Sequence, residues 1–243
     1  MNKFLKRSYL IYTVIVFFGL FILLIPFLSL AIIFGFSTLA VSINQYWGKV
    51  FYVLIGISAR IENKHFLNKD STYIFCPNHF SFLDITLMPL LPKAFKFVGK
   101  VSIANIPIFG YFYKKLHITV DREKLKDRYA TYRKSVEALG NGHSLTVFPE
   151  GGIHAAHTTQ MSRFKEGPFR MAIETGAFLV PITLADNWYI LPDDGQFLMN
   201  WKKECRLIIH QPIDPSKYNL SSIKKFQEDV HHIIQSELNR LNP

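Results

Sequence analysis

No charged residue occurs between Ser8 and Gly48, and the first 29 residues of this stretch, SYLIYTVIVFFGLFILLIPFLSLAIIFGF, are almost entirely apolar. As one helix they would be roughly 43 Å long, whereas the hydrocarbon core of a bilayer is roughly 30 Å thick. This length favours either one tilted helix or two shorter helices separated at Pro26, which lacks the amide hydrogen needed to continue a helix. A cleaved signal peptide is a weaker alternative, because its apolar region is usually only about 7–15 residues long. The sequence therefore predicts an N-terminal membrane anchor.

Basic residues flank this apolar segment on both sides, at Lys3, Lys6 and Arg7 before it and at Lys49, Arg60 and Lys64 after it. Because basic residues favour the cytoplasmic side of a membrane, we expect a hairpin or re-entrant anchor with both ends in the cytoplasm. Residues 1–62 are predicted to form this anchor, as one long or two shorter helices followed by an amphipathic helix. Residues 63–243 are predicted to form one folded domain on the cytoplasmic face of the cell's inner membrane.

The chain carries a formal net charge of +10, and 15% of its residues are aromatic. An excess of positive charge favours anionic partners, which include nucleic acids, phospholipid surfaces and acidic substrates. No nucleic-acid-reading motif accompanies the charge, so a phospholipid membrane is the predicted partner and nucleic acid is not. Cys76 and Cys205 lack disulfide or metal-ligand spacing, and His154 and His157 have no third ligand in pattern. No metal or other cofactor is therefore predicted.

Downstream of the anchor, short apolar runs alternate with helical segments. The runs predicted as strands are Ser71–Pro77, Lys93–Lys100, His117–Asp121, Ser144–Gly152, Phe178–Ala185 and Glu204–Ile213. Such alternation is typical of an α/β fold, and continuous apolar runs indicate strands that are buried on both faces. We therefore predict an α/β fold with a largely parallel sheet flanked by helices, preceded by the apolar helical anchor.

The helix predicted between Arg122 and Gly142 combines two patterns. Its apolar residues recur at helical spacing and are expected to face the core: Leu125, Tyr129, Tyr132, Val136 and Leu139. Its basic residues are expected to form a solvated face, with contact to a membrane surface or to an acidic carrier protein as the alternative: Lys124, Lys126, Arg128, Arg133 and Lys134.

The strand that ends near Cys76 is followed by His79 and, five residues later, by Asp84. Ligands of open α/β sheets bind at the carboxyl ends of the strands, where His79 is expected. A free imidazole titrates at about pH 6.5, and an aspartate bonded to one of its nitrogens stabilises the imidazolium that forms when the other accepts a proton. This pair suits the deprotonation of a substrate hydroxyl. The alternative is structural, because Ser81 and Asp84 also fit a helix capping box.

Four sequence blocks resemble those of the glycerolipid acyltransferases. NHFSFLD, at residues 78–84, has their Asn-His-x4-Asp form, and FGYFYKKLHITVDR, which ends at Arg122, resembles their second block. VFPEGG, at residues 147–152, resembles the third block, and the segment after Phe164 leads to a fourth at Val180 and Pro181. Together with the apolar N-terminus, the blocks most resemble bacterial 1-acyl-sn-glycerol-3-phosphate acyltransferases.

The resemblance implies the transfer of an acyl group from acyl-CoA or acyl-carrier protein to the free hydroxyl of a lysophospholipid, 1-acylglycerol-3-phosphate. The product would be phosphatidic acid for phospholipid biosynthesis. His79 would be the general base, and Asp84 would orient it. Arg122 would bind the acceptor phosphate. The other implied substrate-binding residues form a turn that Glu150 is expected to order: Phe148, Pro149, Glu150 and Gly151.

The third block departs from the family pattern, in which Gly-Thr-Arg is common, because this chain has Gly151, Gly152 and Ile153. An arginine expected near the acceptor phosphate is absent, and Lys100 or Lys165 is the candidate to replace its charge. Alternatively, the acceptor is another monoacyl lipid, such as a lyso amino-acid lipid without phosphate. A membrane-anchored lipid-binding protein without activity is a further alternative, although the intact first and third blocks argue against it.

Overall fold

The alternating segments form one sheet with helices on both of its faces. The computed structural model describes residues 2–121, 124–154 and 157–242. Within these ranges the helices are α1 (Lys3–Ile33), α2 (Ser37–Leu54), α3 (Leu83–Leu87), α4 (Phe109–Leu116), α5 (Leu125–Gly140), α6 (Gly167–Thr175), α7 (Asn187–Ile190) and α8 (Ile223–Leu241). The strands are β1 (Ser58–Glu62), β2 (Tyr73–Pro77), β3 (Phe95–Lys100), β4 (Ile118–Val120), β5 (Ser144–Thr146), β6 (Phe178–Leu184) and β7 (Glu204–Ile209).

The strands are ordered β1-β7-β6-β2-β5-β3-β4 across the sheet. All neighbouring strands are parallel except β6 and β7, which are antiparallel. β2 lies at the centre and is buried along its whole length, in agreement with its continuous apolar sequence. The prediction of a largely parallel sheet flanked by helices is confirmed.

The side chains of β2 alternate between two apolar cores, because successive residues of a strand point to opposite faces. Tyr73 and Phe75 pack with α1, α2 and α3 in one core. Ile74 and Cys76 pack with α5, α6 and α8 in the other core. The sheet therefore separates the two N-terminal helices from α5, α6 and α8.

α1 is one continuous helix that contains Pro26, so the unbroken arrangement is found rather than two shorter helices. It is the one described helix long and apolar enough to cross a bilayer. α1 and α2 are antiparallel, since the Tyr9 hydroxyl near the start of α1 donates to the Ile55 carbonyl after α2 at 2.6 Å. α1 also exposes large apolar side chains, such as Ile15 at 64% and Ile22 at 62%. This surface indicates membrane association.

The sequence-based prediction missed β1. α2 ends at Leu54, and β1 pairs with β7 as an edge strand of the sheet. Gly56 has a φ of 72°, a conformation that glycine adopts without strain and that ends the helix. In β1, Ala59 and Ile61 pack against the core and alternate with charged residues, a pattern too short to distinguish from the end of an amphipathic helix. The division between anchor and folded domain at residue 62 stays a prediction, with β1 on its N-terminal side.

The buried face of α5 only partly matches the predicted apolar stripe, of which Tyr132, Val136 and Leu139 pack on the core. Its buried residues are mostly small or polar: Thr131, Ser135, Ala138 and Leu139. Leu125 and Tyr129, predicted to face the core, are 73% and 65% exposed. Small side chains let α5 approach the sheet closely, and the Thr131 hydroxyl donates to the Thr119 carbonyl at 3.0 Å. The prediction for Leu125 and Tyr129 is wrong, because helical spacing reveals an apolar face but not what packs against it.

Phe226 secures α8 to the sheet and provides a test of this packing. Its fully buried ring stacks on Tyr218 at 4.1 Å between ring centroids and meets Phe169 edge-on at 5.2 Å. We expect Phe226→Ala to lower the free energy of unfolding by about 3–5 kcal/mol, because it leaves a cavity in the core. Leu220→Ala, at a half-exposed site, should change it by less than about 0.5 kcal/mol. Denaturant unfolding in detergent measures both, and equal effects would contradict the assigned packing.

Candidate active site

The candidate site lies at the carboxyl edge of β2, where the chain leaves the sheet. Asn78 is buried there and binds Leu184 of β6 twice. Its side-chain amide donates to the Leu184 carbonyl at 3.1 Å, and its side-chain oxygen accepts from the Leu184 backbone amide at 2.8 Å. These bonds fix the start of the loop between β2 and α3 against the neighbouring strand. His79 follows directly, at the edge of the sheet where it was expected.

His79 and Asp84 are in contact, with 3.1 Å between Nδ1 of the ring and Oδ2 of the carboxylate. The same oxygen accepts hydrogen bonds from the backbone amides of Phe80 at 2.8 Å and Ser81 at 2.9 Å. The Asp84 side chain is 1% exposed and that of His79 is 12% exposed. Asp84 therefore combines contact with His79 and stabilisation of the helix start. Nδ1 is occupied by Asp84, which leaves Nε2 to face a ligand.

Asn187, at the start of α7, also binds Asp84, and sequence reasoning missed it. Its side-chain amide donates to Asp84 Oδ1 at 2.9 Å, and the residue is 1% exposed. The preceding Asp186 is bonded to Arg206 and Lys202, which holds the start of α7 in place. Burial alone would raise the pKa of Asp186, but these two cations outweigh it and lower the pKa. Because Asn187 is 103 residues from Asp84 and fits no spacing pattern, only its position after the fourth block hints at a role.

The third-block turn supports His79 from a second direction. Glu150 is 1% exposed, and its Oε1 accepts from the His79 backbone amide at 2.8 Å. Its Oε2 accepts from the backbone amide and the hydroxyl of Ser162, each at 2.9 Å. Burial raises the pKa of Glu150, and the hydrogen bonds from Ser162 and His79 oppose the rise. The Phe148 ring stacks on the His79 ring with 3.9 Å between centroids. These contacts fit the expectation that Glu150 orders the turn.

The predicted cationic residues differ in how closely they approach this turn. The backbone amide of Lys165 donates to the Pro149 carbonyl at 2.8 Å. Its exposed side chain crosses Gly151, with Cε 3.5 Å from the position that a Cβ on that glycine would occupy. Lys100 is exposed at the end of β3. Arg122 lies outside the described residues. Of the two predicted cations within the described residues, Lys165 is thus the one with a contact to the third-block turn.

The two histidines after the third block have separate partners. His154 Nε2 lies 3.2 Å from the Glu150 carbonyl oxygen, and His157 Nε2 lies 2.8 Å from a carboxylate oxygen of Asp194. Across residues 2–121, 124–154 and 157–242, no three His, Cys, Asp or Glu side chains are grouped as metal ligands.

An apolar cavity of about 920 Å³, including space open to solvent, lies between α1, α2, α3, α4 and β3. Phe17 and Phe21 of α1 line it together with Phe97 of β3. His79 is not among the lining residues. The Phe97 ring lies 6.5 Å from the Phe148 ring, which in turn stacks on His79, so one aromatic layer separates the cavity from the His79–Asp84 pair.

Comparisons with known proteins agree with the sequence blocks. A model of the acyltransferase family matches residues 58–185. The chloroplastic 1-acyl-sn-glycerol-3-phosphate acyltransferase of Arabidopsis thaliana is 34% identical over 151 residues, which are 62% of this chain and 42% of that protein. The 1-acyl-sn-glycerol-3-phosphate acyltransferase of Borreliella burgdorferi is 25% identical over 194 residues, which are 78% of this chain and 74% of that protein.

The crystal structure of a 1-acyl-sn-glycerophosphate acyltransferase from Thermotoga maritima has the same fold, with a TM-score of 0.77 and 21% identity over 98% of this chain and 95% of that chain. At this identity the likeness concerns the fold alone. The matched segment spans less than half the length of the plant relatives, 42% for the Arabidopsis protein and 44% for that of Brassica napus. The family model covers more than half of the chain and includes His79, Asp84 and Glu150. The chain therefore belongs to the acyltransferase family.

Proposed function

We propose that the protein transfers an acyl group from acyl-CoA or acyl-carrier protein to the free hydroxyl of 1-acylglycerol-3-phosphate and so forms phosphatidic acid. The observation that carries this proposal is the His79–Asp84 contact, at the carboxyl edge of the sheet and one aromatic layer from an apolar cavity. The relatives named above carry this activity in their names.

In the proposed reaction, His79 Nε2 takes the proton of the acceptor hydroxyl as its oxygen attacks the carbonyl carbon of the acyl thioester. The C–S bond then breaks, the new ester forms, and the imidazolium returns its proton to the leaving thiolate. Asp84 keeps Nδ1 protonated and stabilises the imidazolium. No acyl-enzyme is required, because the acceptor oxygen is itself the nucleophile.

Two supports hold the proposed base in one orientation. Phe148 stacks on the ring of His79, and Glu150 binds its backbone amide. Asn187 occupies Asp84 Oδ1, which directs Oδ2 towards the ring. Asn187 is therefore a positioning residue in this mechanism. A fixed orientation of the base is important for the rate, because a misplacement of about 1 Å can lower it by about 10²-fold.

The acceptor phosphate is proposed to bind beside the third-block turn. Lys165 supplies a positive charge over Gly151, where the family's arginine is absent, and Lys100 and Arg122 are proposed as further contacts. Gly152 and Ile153 favour a second candidate function, in which the acceptor is a monoacyl lipid without phosphate. The two candidates share the reaction and differ in the headgroup.

The apolar cavity supports a lipid substrate. Its walls are mainly apolar, and burial lowers the pKa of His117 in the wall to about 4, so that ring is uncharged at neutral pH. Residues of α1 line the cavity, so an acyl chain would pass between the membrane-associated helix and the cavity. We place the protein at the inner membrane with its α/β domain on the cytoplasmic face, because basic residues precede and follow the apolar segment.

His79→Ala tests the reaction. We expect kcat to fall by about 10²–10⁴-fold, because general-base catalysis contributes on that scale. The assay uses purified protein, a labelled acyl thioester and 1-acylglycerol-3-phosphate, and unfolding midpoints show that the variant folds. His65→Ala, at an exposed histidine away from the site, should retain turnover. Turnover of His79→Ala at the wild-type rate would reject His79 as the base and favour a different mechanism.

Lys165→Met tests the acceptor headgroup, because methionine keeps a flexible stem over Gly151 and removes the charge. We expect kcat/KM for 1-acylglycerol-3-phosphate to fall by about 10–100-fold, the value of a hydrogen bond to a charged group. The kcat/KM of Lys165→Met for a phosphate-free lyso-lipid should equal that of the wild type. Lys217→Met, at an exposed site, should leave kcat/KM for both lipids unchanged. Wild-type protein that prefers the phosphate-free lipid would establish the second candidate function instead.

Asn187→Leu and Asn187→Asp test the positioning of Asp84. Asn187→Leu should lower kcat by about 10–100-fold with little change in KM, because Asp84 loses one of its restraints. Asn187→Asp places a second carboxylate beside Asp84, which favours the imidazolium, so the acidic limb of the pH–kcat profile should move to higher pH. Asn200→Asp is the matched control, since its side chain binds the Tyr189 carbonyl on the same helix. A pH profile unchanged in Asn187→Asp would contradict the assigned role.

A further inference from the structure

An apolar stripe on α5 runs from the core to solvent, and its first two residues are exposed. We define the α5 outer stripe as Leu125, Tyr129, Tyr132 and Val136, which follow one another at helical spacing. Leu125 and Tyr129 are 73% and 65% exposed, whereas Tyr132 and Val136 are half-buried against the core. The stripe borders a concave surface that reaches Glu174 of α6. Large apolar and aromatic side chains in such an arrangement are typical of an interaction surface.

Positive charge flanks the exposed start of this stripe, whereas Glu137 and Glu174 line the concave surface at its other end. Lys126, Arg128, Arg133 and Lys134 are all exposed. Lys124 is paired with Asp121 at 3.3 Å, whereas the described part of the chain provides no ion-pair partner for those four. Lys126 and Arg133 are seven residues apart and therefore lie on the same side of the helix, next to Tyr129. The surface is complementary to an acidic partner with apolar residues at its centre.

The position of α5 favours a soluble partner over the membrane. α5 packs on the core formed by Ile74 and Cys76, and α1 and α2 pack on the opposite face of the sheet. A bilayer that contacts the exposed apolar side chains of α1 therefore lies on the other side of the sheet from the α5 outer stripe.

α5 also begins at the edge of the sheet that carries the candidate site. Leu125 follows the end of β4 at Val120 by five residues, and β4 is separated from β2 by β3 and β5. Three strand spacings place the carboxyl end of β4 roughly 14 Å from that of β2, where His79 lies. A partner docked at the start of α5 is thus close enough to present a group on a flexible arm to His79.

We propose that the α5 outer stripe and its flanking cations dock an acidic acyl-carrier protein that delivers the acyl thioester. This inference rests on the proposed function and adds the place where the donor binds. The cations attract the acidic partner and speed its association, and Leu125 and Tyr129 provide apolar contact at the centre. The thioester then reaches His79 from the sheet face opposite the anchor.

The test compares two donors that carry the same acyl chain. Full-length protein in detergent is assayed with acyl-carrier protein and with acyl-CoA, at one concentration of 1-acylglycerol-3-phosphate. Lys126→Glu/Arg133→Glu should lower kcat/KM with the carrier protein by about 10–100-fold, because like charges then face each other. With acyl-CoA, the kcat/KM of the same variant should change less than about threefold, because surface substitutions away from a site have small effects. The control Lys217→Glu/Lys224→Glu, at exposed lysines elsewhere, should change neither.

A second variant tests the apolar part of the surface. Leu125→Ser/Tyr129→Ser should also lower kcat/KM with the carrier protein selectively, and its unfolding midpoint should equal that of the wild type because both residues are exposed. Equal losses with both donors, or no loss with either, would overturn the docking surface. Release of Lys126→Glu/Arg133→Glu from anionic phospholipid vesicles that retain the wild type would identify the surface as a membrane contact and also overturn it.

Comparison of the two donors distinguishes failure of this inference from failure of the proposed function. Wild-type transfer from acyl-CoA without any transfer from the carrier protein would reject the docking surface and leave the proposed function in place. Absence of transfer from both donors to every lyso-lipid would reject both.

Discussion

The buried carboxylate of Asp84 is the interaction on which the candidate site depends. A charge removed from water is costly unless it is paired and hydrogen-bonded. Asp84 has four donors: the His79 ring, the backbone amides of Phe80 and Ser81, and the Asn187 side chain. Three of them belong to the loop after β2. Asn187 follows β6 in the chain, so it reaches Asp84 only when β6 pairs with β2. The arrangement that presents Nε2 of His79 is therefore completed by the central strands of the sheet and not by the loop alone.

The strands that are buried on both faces of the sheet were predictable, because their sequences are continuous apolar runs. β2 and β6 are continuous apolar runs, and the structure has them as neighbouring central strands. β1 was not predictable, because an edge strand needs few apolar residues and its short alternation merges with the end of α2. The sequence of α5 has a periodic apolar pattern, but the residues it buries include Thr131, Ser135 and Ala138. Their small size lets the helix pack closely on the sheet. Sequence spacing identifies an apolar face without identifying its partner.

The candidate site was predictable to the extent that its residues are close in the chain. His79 and Asp84 are five residues apart, and the loop that joins them closes their hydrogen bond. The contact of Glu150 with the His79 backbone spans 71 residues and that of Asn187 with Asp84 spans 103. Such contacts depend on which strands become neighbours, a property of the whole sheet. The motif resemblance pointed to Glu150 nonetheless, whereas Asn187 required the structure.

The two sides of the sheet would serve two different substrates under the proposed function. Phe17 and Phe21 of the membrane-associated helix α1 line the apolar cavity, so the acyl chain of a lipid acceptor would enter it from the bilayer, one aromatic layer from His79. Under the proposal the membrane lies on that side, so a protein-bound donor would approach over the opposite face, where α5 lies. β2 sends side chains to both faces and ends two residues before His79, at the edge that both approaches would share. Under this proposal the packing of α1 on the α/β domain is part of the site, because it would determine from which side each substrate arrives.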